Sequence, residues 1–250
     1  MTLEQFFAEN REVAIAFSGG VDSAYLLYAA KRYAARVKAY YVSTAFQPEF
    51  ELADARRLAD ELGADMLVLH VDVLSNSAVT ANPSDRCYHC KNTLFRQILR
   101  AAENDGFPVL LDGTNASDDA GDRPGMRALR ELSVRSPLRE CGLTKAEIRR
   151  LSKDAGLFTW DKPAYACLAT RIRTGEEITL QKLKQTEKAE GFLFGFGLGF
   201  RDFRVRMVGN TAKLELREAD LPLLLENREK IVTELRKDYD SVLLNLEVRK

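Results

Sequence analysis

Ala16-Phe17-Ser18-Gly19-Gly20-Val21-Asp22-Ser23 is the stretch that decides how the rest of this 250-residue chain is read. It closes an apolar run, Val13–Phe17, with the composition of a buried strand, and it opens Ala24–Ala35, which has the pattern of a helix. A glycine pair between strand and helix lets the backbone turn tightly and present bare N–H groups. Those donors, the positive end of the following helix and the hydroxyls of Ser18 and Ser23 together make an anion cradle, and a phosphate chain is the ligand such a cradle suits. The plain alternative is a simple strand-to-helix turn. Ser-Gly-Gly-x-Asp-Ser in this context is far more specific than a lone Gly-x-Gly-x-x-Gly.

Outward from that turn, the first 160 residues alternate strands and amphipathic helices. Val13–Phe17, Val37–Val42, Met66–Val71 and Val109–Leu111 read as strands, with helical patterns at Ala24–Ala35, Glu49–Leu62 and Asn92–Glu103 between them. The alternation predicts an α/β fold, a parallel sheet with helices on both faces. Ligands of such sheets lie beyond the carboxyl ends of the strands. Both the glycine turn and Asp112-Gly113-Thr114-Asn115, which follows the fourth strand, are expected there. Thr144 and Glu147 have capping-box spacing and start a helix that runs to about Ala155 and stops at Gly156. Trp160–Gly175 is weakly periodic and reads as a functional loop and domain junction. Beyond it come a helix (Thr179–Glu190), strands (Phe203–Val208 and Ala212–Leu216), a helix (Leu221–Tyr239) and a last strand (Ser241–Val248), a smaller α+β domain. The expected division is 1–172 and 173–250. Gly195-Phe196-Gly197-Leu198-Gly199 lacks the third glycine of a dinucleotide fingerprint and opens no βαβ unit, so it reads as a connection.

Composition narrows the class. The chain is 46% apolar, enough for one large core or two moderate ones. Lys plus Arg and Asp plus Glu both number 37, so the net charge is zero, and the basic excess of a nucleic-acid binder is absent overall. No apolar run reaches the length of about 18 residues that a membrane span needs. Met1–Asn10 carries Glu4 and Glu9 and lacks the basic-then-apolar plan of a secretory signal. A cytoplasmic protein is expected, with no nucleic-acid and no membrane partner. In that reducing setting the four cysteines, Cys87, Cys90, Cys141 and Cys167, are ligands, nucleophiles or buried thiols rather than disulfides.

Two cysteine constellations stand out. In Lys162-Pro163-Ala164-Tyr165-Ala166-Cys167-Leu168-Ala169-Thr170-Arg171 a loop cysteine lies close in sequence to Lys162 and Arg171, cations that favour the thiolate, the form that attacks carbon or binds metal. The alternative is a buried, inert thiol. Cys87-Tyr88-His89-Cys90 admits three readings: a redox dithiol, half of a zinc site, or part of an iron–sulfur site. Cys141, before Gly142, reads as structural. Downstream, Arg204 and Arg206 are i and i+2 on a strand, so both project from one face. Two guanidiniums on one face make a phosphate fork, unless that face is merely solvated.

The run Ser18–Ser23 resembles the PP-loop of the ATP pyrophosphatase superfamily, which splits ATP between its α and β phosphates and passes AMP to a substrate oxygen. A Walker loop is absent. Over nearly its whole length the chain resembles the LarE family, ATP-dependent sulfur transferases that build the nickel-pincer nucleotide cofactor of lactate racemase. The shared features are Ser18–Ser23, Asp112-Gly113-Thr114-Asn115, Asp122-Arg123-Pro124-Gly125, Ser136-Pro137-Leu138, Lys162–Arg171 and Arg204-Val205-Arg206.

The resemblance implies the following. ATP and Mg²⁺ bind at Ser18, Gly19, Gly20, Asp22 and Ser23, with Gly113 and Thr114 bordering the adenylate. A carboxylate of a pyridinium dicarboxylate mononucleotide is adenylated and becomes a thiocarboxylate. Cys167 is the sulfur centre, Arg204 and Arg206 hold the substrate phosphate, and Glu187 occupies a catalytic-site carboxylate position otherwise read as an exposed helix residue. Lys91 and Arg171 neutralise developing phosphate charge. Some members sacrifice the active-site cysteine, leaving dehydroalanine. Others hold a 4Fe-4S cluster on three cysteines, and Cys87 and Cys90 with Cys167 place this chain with the cluster type. The resemblance also implies a homo-oligomer, up to a hexamer. The rival readings are a PP-loop tRNA thiolation enzyme, an amidotransferase-type synthetase and a non-enzymatic nucleotide-binding module.

Overall fold

The computed structural model describes residues 1–118, 124–195 and 202–249. Asp122 and Arg123 of the Asp-Arg-Pro-Gly run, and Phe196–Gly199 of the glycine-phenylalanine stretch, lie outside the described residues. The chain divides into two compact units, one of Met1–Val73 with Asp85–Ala164, the other of Leu74–Ser84 with Tyr165–Lys250. No helix among the described residues is long and apolar enough to cross a membrane.

The first unit is the expected α/β layer structure. Strands β1 (Glu12–Ala16), β2 (Arg36–Ser43), β3 (Met66–His70) and β4 (Val109–Leu111) form a parallel sheet in the order β3-β2-β1-β4. Successive side chains of a strand point to opposite faces. Accordingly Val13 and Ile15 of β1, with Ala39 and Tyr41 of β2, enter one core, while Ala14, Tyr40 and Val42 enter another. The first core is closed by helices Leu3–Glu9, Val21–Tyr33, Glu49–Glu61 and Lys145–Asp154 through Phe6, Phe7, Leu26, Leu27, Leu58 and Ile148. The second is closed by Arg86–Asn104 through Ile98 and Ala102. Each fully buried Leu, Ile or Phe side chain contributes about 1.5–3 kcal/mol. The strand β1 is central and pairs with β2 on one side and β4 on the other, so the chain turns in opposite directions from it. That is the switch point at which α/β sheets open a crevice, and the loops leaving β1 and β4 flank it.

Two helices start earlier than the sequence pattern suggests. Val21–Tyr33 begins inside the glycine turn, and Arg86–Asn104 takes in Cys87 and Cys90, which the sequence pattern puts ahead of the helix. The apolar periodicity of both helices only becomes continuous a turn later, which hides the polar first turn. The capping box at Thr144 forms as expected, with Thr144 Oγ1 accepting from Glu147 N and the Glu147 carboxylate accepting from Thr144 N.

The second unit holds a three-stranded sheet, β5 (Arg204–Val208), β6 (Thr211–Glu215) and β7 (Ser241–Leu244), in the order β5-β6-β7. β5 and β6 are antiparallel and β7 runs parallel to β6, which requires a crossover. The single helix expected over Leu221–Tyr239 is instead two, Leu221–Glu226 and Arg228–Leu235. Asn227 breaks it, because its amide Nδ2 donates back to the Leu223 carbonyl at 2.9 Å in competition with the helix ladder. The segment Leu74–Ser84 joins this unit through Asn82, which is buried with a positive φ of 53°. Asn82 Nδ2 donates to the Arg173 carbonyl at 2.8 Å, and its own carbonyl accepts from Gly175 N.

Candidate active site

In the first unit the glycine turn is built to one geometry. Gly19 has φ +70°, and a Cβ there would meet Ala55 Cβ at 3.1 Å, so both backbone and space require glycine. Ser23 Oγ donates to the Gly20 carbonyl at 3.1 Å, accepts from Ser18 N and lies 3.0 Å from Ser18 Oγ. The Ser23 hydroxyl is therefore buried and occupied in shaping the loop, while Ser18 is exposed. Gly20 caps Val21–Tyr33 without a side chain, which leaves the first-turn N–H groups to a ligand.

The loop after β4 closes on this turn. A Cβ on Gly113 would meet Ser23 N at 3.0 Å and Ser23 Cα at 3.2 Å, backbone that cannot give way. Gly113 thus lies against the start of the helix. Its loop is held by buried Asp112, which accepts from Thr114 Oγ1 at 2.5 Å and from Ser136 Oγ at 2.6 Å. The Ser136-Pro137-Leu138 run serves the site through that bond, and the Thr114 hydroxyl is committed to Asp112.

Asp22 sits in the first turn with two unlike oxygens. Oδ2 accepts from Lys145 Nζ at 2.6 Å, while Oδ1 is buried without a hydrogen-bond partner. Burial raises the Asp22 pKa above the usual carboxylate range. Lys145 pulls it back, and the neighbouring charge of Asp118 adds to the rise. An orphaned carboxylate oxygen at the mouth of a phosphate cradle fits a hard divalent cation, Mg²⁺ with ATP. Lys91, expected at the phosphates, lays its stem where a Cβ on Gly125 would be 3.2 Å away, with Nζ 6.0 Å from the Phe95 ring centre. Lys162 is paired with Asp54 at 2.6 Å.

Cys87 is exposed and Cys90 half-buried in the first two turns of Arg86–Asn104, three residues apart and so on one helix face. None of the four cysteines is in a disulfide. Paired thiols on one face suit soft metal chemistry. Among the described residues, no group of three or more His, Cys, Asp or Glu side chains is gathered as a metal site. Cys141 packs against the first core, and burial pushes its thiol up.

The second unit carries the other cysteine. Cys167 is half-buried and precedes the 3-10 turn Leu168–Arg171. Arg171 holds this turn from inside. Its Nη1 donates to the Ala166 carbonyl at 2.7 Å, and its Nε and Nη2 each donate to Glu190 at 2.9 Å. The two side chains are 0% and 2% exposed. Burial works against the Arg171 charge, but the bonds to Glu190 outweigh it and hold the guanidinium above its ordinary range. Glu190 also accepts from Tyr165 Oη and from Val205 N. Arg171, expected to stabilise phosphate charge, is thus built into the scaffold beneath Cys167, because a buried guanidinium needs a carboxylate of its own. Glu187 is half-buried on the same helix, Leu180–Gly195, three residues before Glu190.

Arg204 and Arg206 do project from one face of β5. Arg204 is buried near the Tyr165 ring and bonds Asp202 at 3.3 Å. Arg206 is more exposed, with Nε donating to Glu215 at 2.8 Å and Nη1 to the Thr170 carbonyl at 2.7 Å. Arg249 bonds Asp202 at 3.0 Å. Burial, then the nearby charges of Arg171 and Arg249, push the Arg204 pKa down, while Glu190 and Asp202 act against the shift. Sequence reasoning missed Lys145, Glu190, Arg249 and Asn82. A signal existed for Glu190 alone: it falls on the buried stripe Leu183, Thr186, Glu190, Leu193, where an acid requires a partner.

Comparison with known proteins places the chain in a family. The family profile described as asparagine synthase matches residues 4–118. An uncharacterized protein of Synechocystis sp. is 39% identical over 216 residues, covering 86% of this chain and 80% of that protein. The pyridinium-3,5-bisthiocarboxylic acid mononucleotide synthase of Lactiplantibacillus plantarum is 31% identical over 237 residues, covering 94% of this chain and 85% of that enzyme. The tRNA-specific 2-thiouridylase of Thermotoga petrophila is more distant, 26% identical over 191 residues and covering 58% of this chain. With a PP-loop at the switch point of its sheet and this likeness along nearly its full length, the chain belongs to the LarE family of ATP-dependent sulfurtransferases.

Proposed function

We propose that this enzyme adenylates a carboxylate of a pyridinium dicarboxylate mononucleotide and converts it to a thiocarboxylate, a step in making the nickel-pincer nucleotide of lactate racemase. The observation that carries the reading is the cradle itself: Ser18–Ser23 closed by the backbone of Gly113, with Asp22 Oδ1 left for a cation. Backbone N–H groups from Gly19 to Asp22 hold the departing pyrophosphate. A substrate carboxylate oxygen attacks the α-phosphorus, the bond to the β-phosphate oxygen breaks, and an acyl adenylate forms. A sulfur nucleophile then attacks the acyl carbon and AMP leaves. Arg204 and Arg206 bind the substrate's phosphate, so the reacting carboxylate is placed by proximity. Arg171, through Glu190, keeps the Cys167 loop in one conformation, and Glu187 on the same helix is the carboxylate assigned to the sulfur-transfer site.

The thiols of Cys87, Cys90 and Cys167 would hold the 4Fe-4S cluster. Held there, the cluster would bind an external hydrosulfide and present it to the activated carbon, so that no cysteine sulfur would be consumed and turnover could repeat. The other route takes sulfur from Cys167 itself, with loss of the Cα proton and formation of dehydroalanine. We assign the chain to the cluster route and to a homo-oligomeric assembly. The test is anaerobic purification, iron analysis, and intact mass before and after one cycle with ATP and substrate. Thiocarboxylate product with unchanged protein mass supports the cluster route. Loss of one hydrogen sulfide from the protein supports the sacrificial route, and absence of pyrophosphate release removes the proposal.

A further inference from the structure

The phosphate loop of this chain contains no cation. A Walker loop has its own lysine, which reaches the β and γ phosphates, whereas Ser18-Gly19-Gly20-Val21-Asp22-Ser23 offers only N–H groups, two hydroxyls and a carboxylate. The Ser23 hydroxyl is spent within the loop. A triphosphate placed there meets Asp22, a like charge, unless a cation compensates.

The fold brings that cation from elsewhere. Lys145 lies 123 residues away in sequence, yet its Nζ is 2.6 Å from Asp22 Oδ2, in the first turn of the phosphate-facing helix. Its backbone is fixed independently of that contact. Lys145 is the first residue after the Thr144 cap, Thr144 is locked to Glu147, and Lys145 N donates to Ser117 Oγ at 2.9 Å. Ala116 N donates to the Leu143 carbonyl at 2.8 Å, which ties the same helix start to the loop that follows Gly113. The side chain is only half-buried, so Nζ keeps donors to offer a ligand. The cations suggested by sequence proximity are placed otherwise, Lys91 along Gly125 and Arg171 against Glu190.

We infer that Lys145 is the lysine of the phosphate loop, supplied by another helix of the same unit: it contacts the β/γ end of ATP while keeping Asp22 in register. The inference rests on the nucleotide reading above and adds a residue that the loop motif does not contain. Lys145 holds Oδ2, so Oδ1 faces the metal, and its remaining N–H donors bond the phosphate oxygens.

The experiment measures equilibrium binding, in the presence of Mg²⁺, of an ATP analogue with a methylene bridge between the α and β phosphorus atoms, and separately of AMP. Wild type, Lys145→Gln and Lys145→Arg are compared at matched thermal stability. Lys145→Gln is expected to weaken the analogue by about 10- to 100-fold, the value of a charge-assisted contact. AMP, which lacks the β and γ phosphates, is expected to change by less than about twofold, and Lys145→Arg to restore most of the loss. Unchanged affinity of Lys145→Gln for the analogue overturns the inference and leaves the nucleotide site standing. Equal losses for the analogue and AMP also overturn it, because they indicate a merely structural lysine. A wild-type protein that binds neither nucleotide removes the site and the inference together.

Discussion

Replacing Glu190 by Gln tests how the sulfur-bearing loop is held. The carboxylate accepts four hydrogen bonds, from Arg171 Nε and Nη2, Tyr165 Oη and Val205 N. Glutamine conserves the shape but has one acceptor oxygen, and its NH₂ must face a donor. It also strips the charge partner from a guanidinium with no exposed surface. Breaking a buried pair from one side costs about 3–5 kcal/mol. At about 2–4 °C per kcal/mol for a chain of this size, the melting temperature should fall by roughly 6–20 °C. The loop should loosen too, because Arg171 Nη1 bonds the Ala166 carbonyl beside Cys167. Cys167 should then react faster with a thiol reagent, read by peptide mass, and sulfur transfer should fall more than pyrophosphate release. The double variant Arg171→Met/Glu190→Gln should be less destabilised than the sum of the single variants, since it leaves no buried charge unpaired. A Glu190→Gln protein that melts within about 2 °C of wild type, with unchanged Cys167 reactivity, would refute the reasoning.

Four further outcomes are expected. Gly113→Ala forces a Cβ against Ser23 backbone and should cost about 1–3 kcal/mol with loss of ATP binding. Gly191→Ala, in a helix with nothing within 4 Å, should instead stabilise by about 0.5–1 kcal/mol, and denaturant titration separates the two. Cys167→Ala should abolish thiocarboxylate formation while leaving ATP binding intact, checked by product mass and calorimetry. Hydrogen bonds from Arg135 hold the Glu140 carboxyl below the usual glutamate range. The stability this pair adds is therefore present above that range and lost as pH falls through it. Arg135→Met should flatten the acid limb of the stability–pH curve, and an unchanged limb would contradict the assignment.

Much of the nucleotide half of the site is legible in sequence, because its chemistry is local. A strand, two glycines and a helix start are neighbours along the chain, and Asp112-Gly113-Thr114 announces itself by following a strand. The roles within that half are less legible. Ser23 reads as a ligand hydroxyl but shapes the loop, since a buried hydroxyl bonds whatever backbone lies nearest. Arg171 reads as a cation beside a thiol and does lie next to Cys167, but its Nε and Nη2 are committed to Glu190, because proximity in sequence says nothing about which carboxylate the fold will deliver.

The sequence by itself determined the parallel α/β layer, the position of the phosphate turn, the capped helix at Thr144 and the pair of arginines on one strand face. All of these follow from backbone sterics and side-chain period, which act over a few residues. Tertiary structure alone decided that Lys145 reaches Asp22, that Glu190 anchors the Cys167 loop and that Leu74–Ser84 joins the second unit through Asn82. Each of those contacts pairs residues far apart in the chain. Which partner a buried charge or amide finds depends on how whole elements pack, and no local pattern encodes that choice.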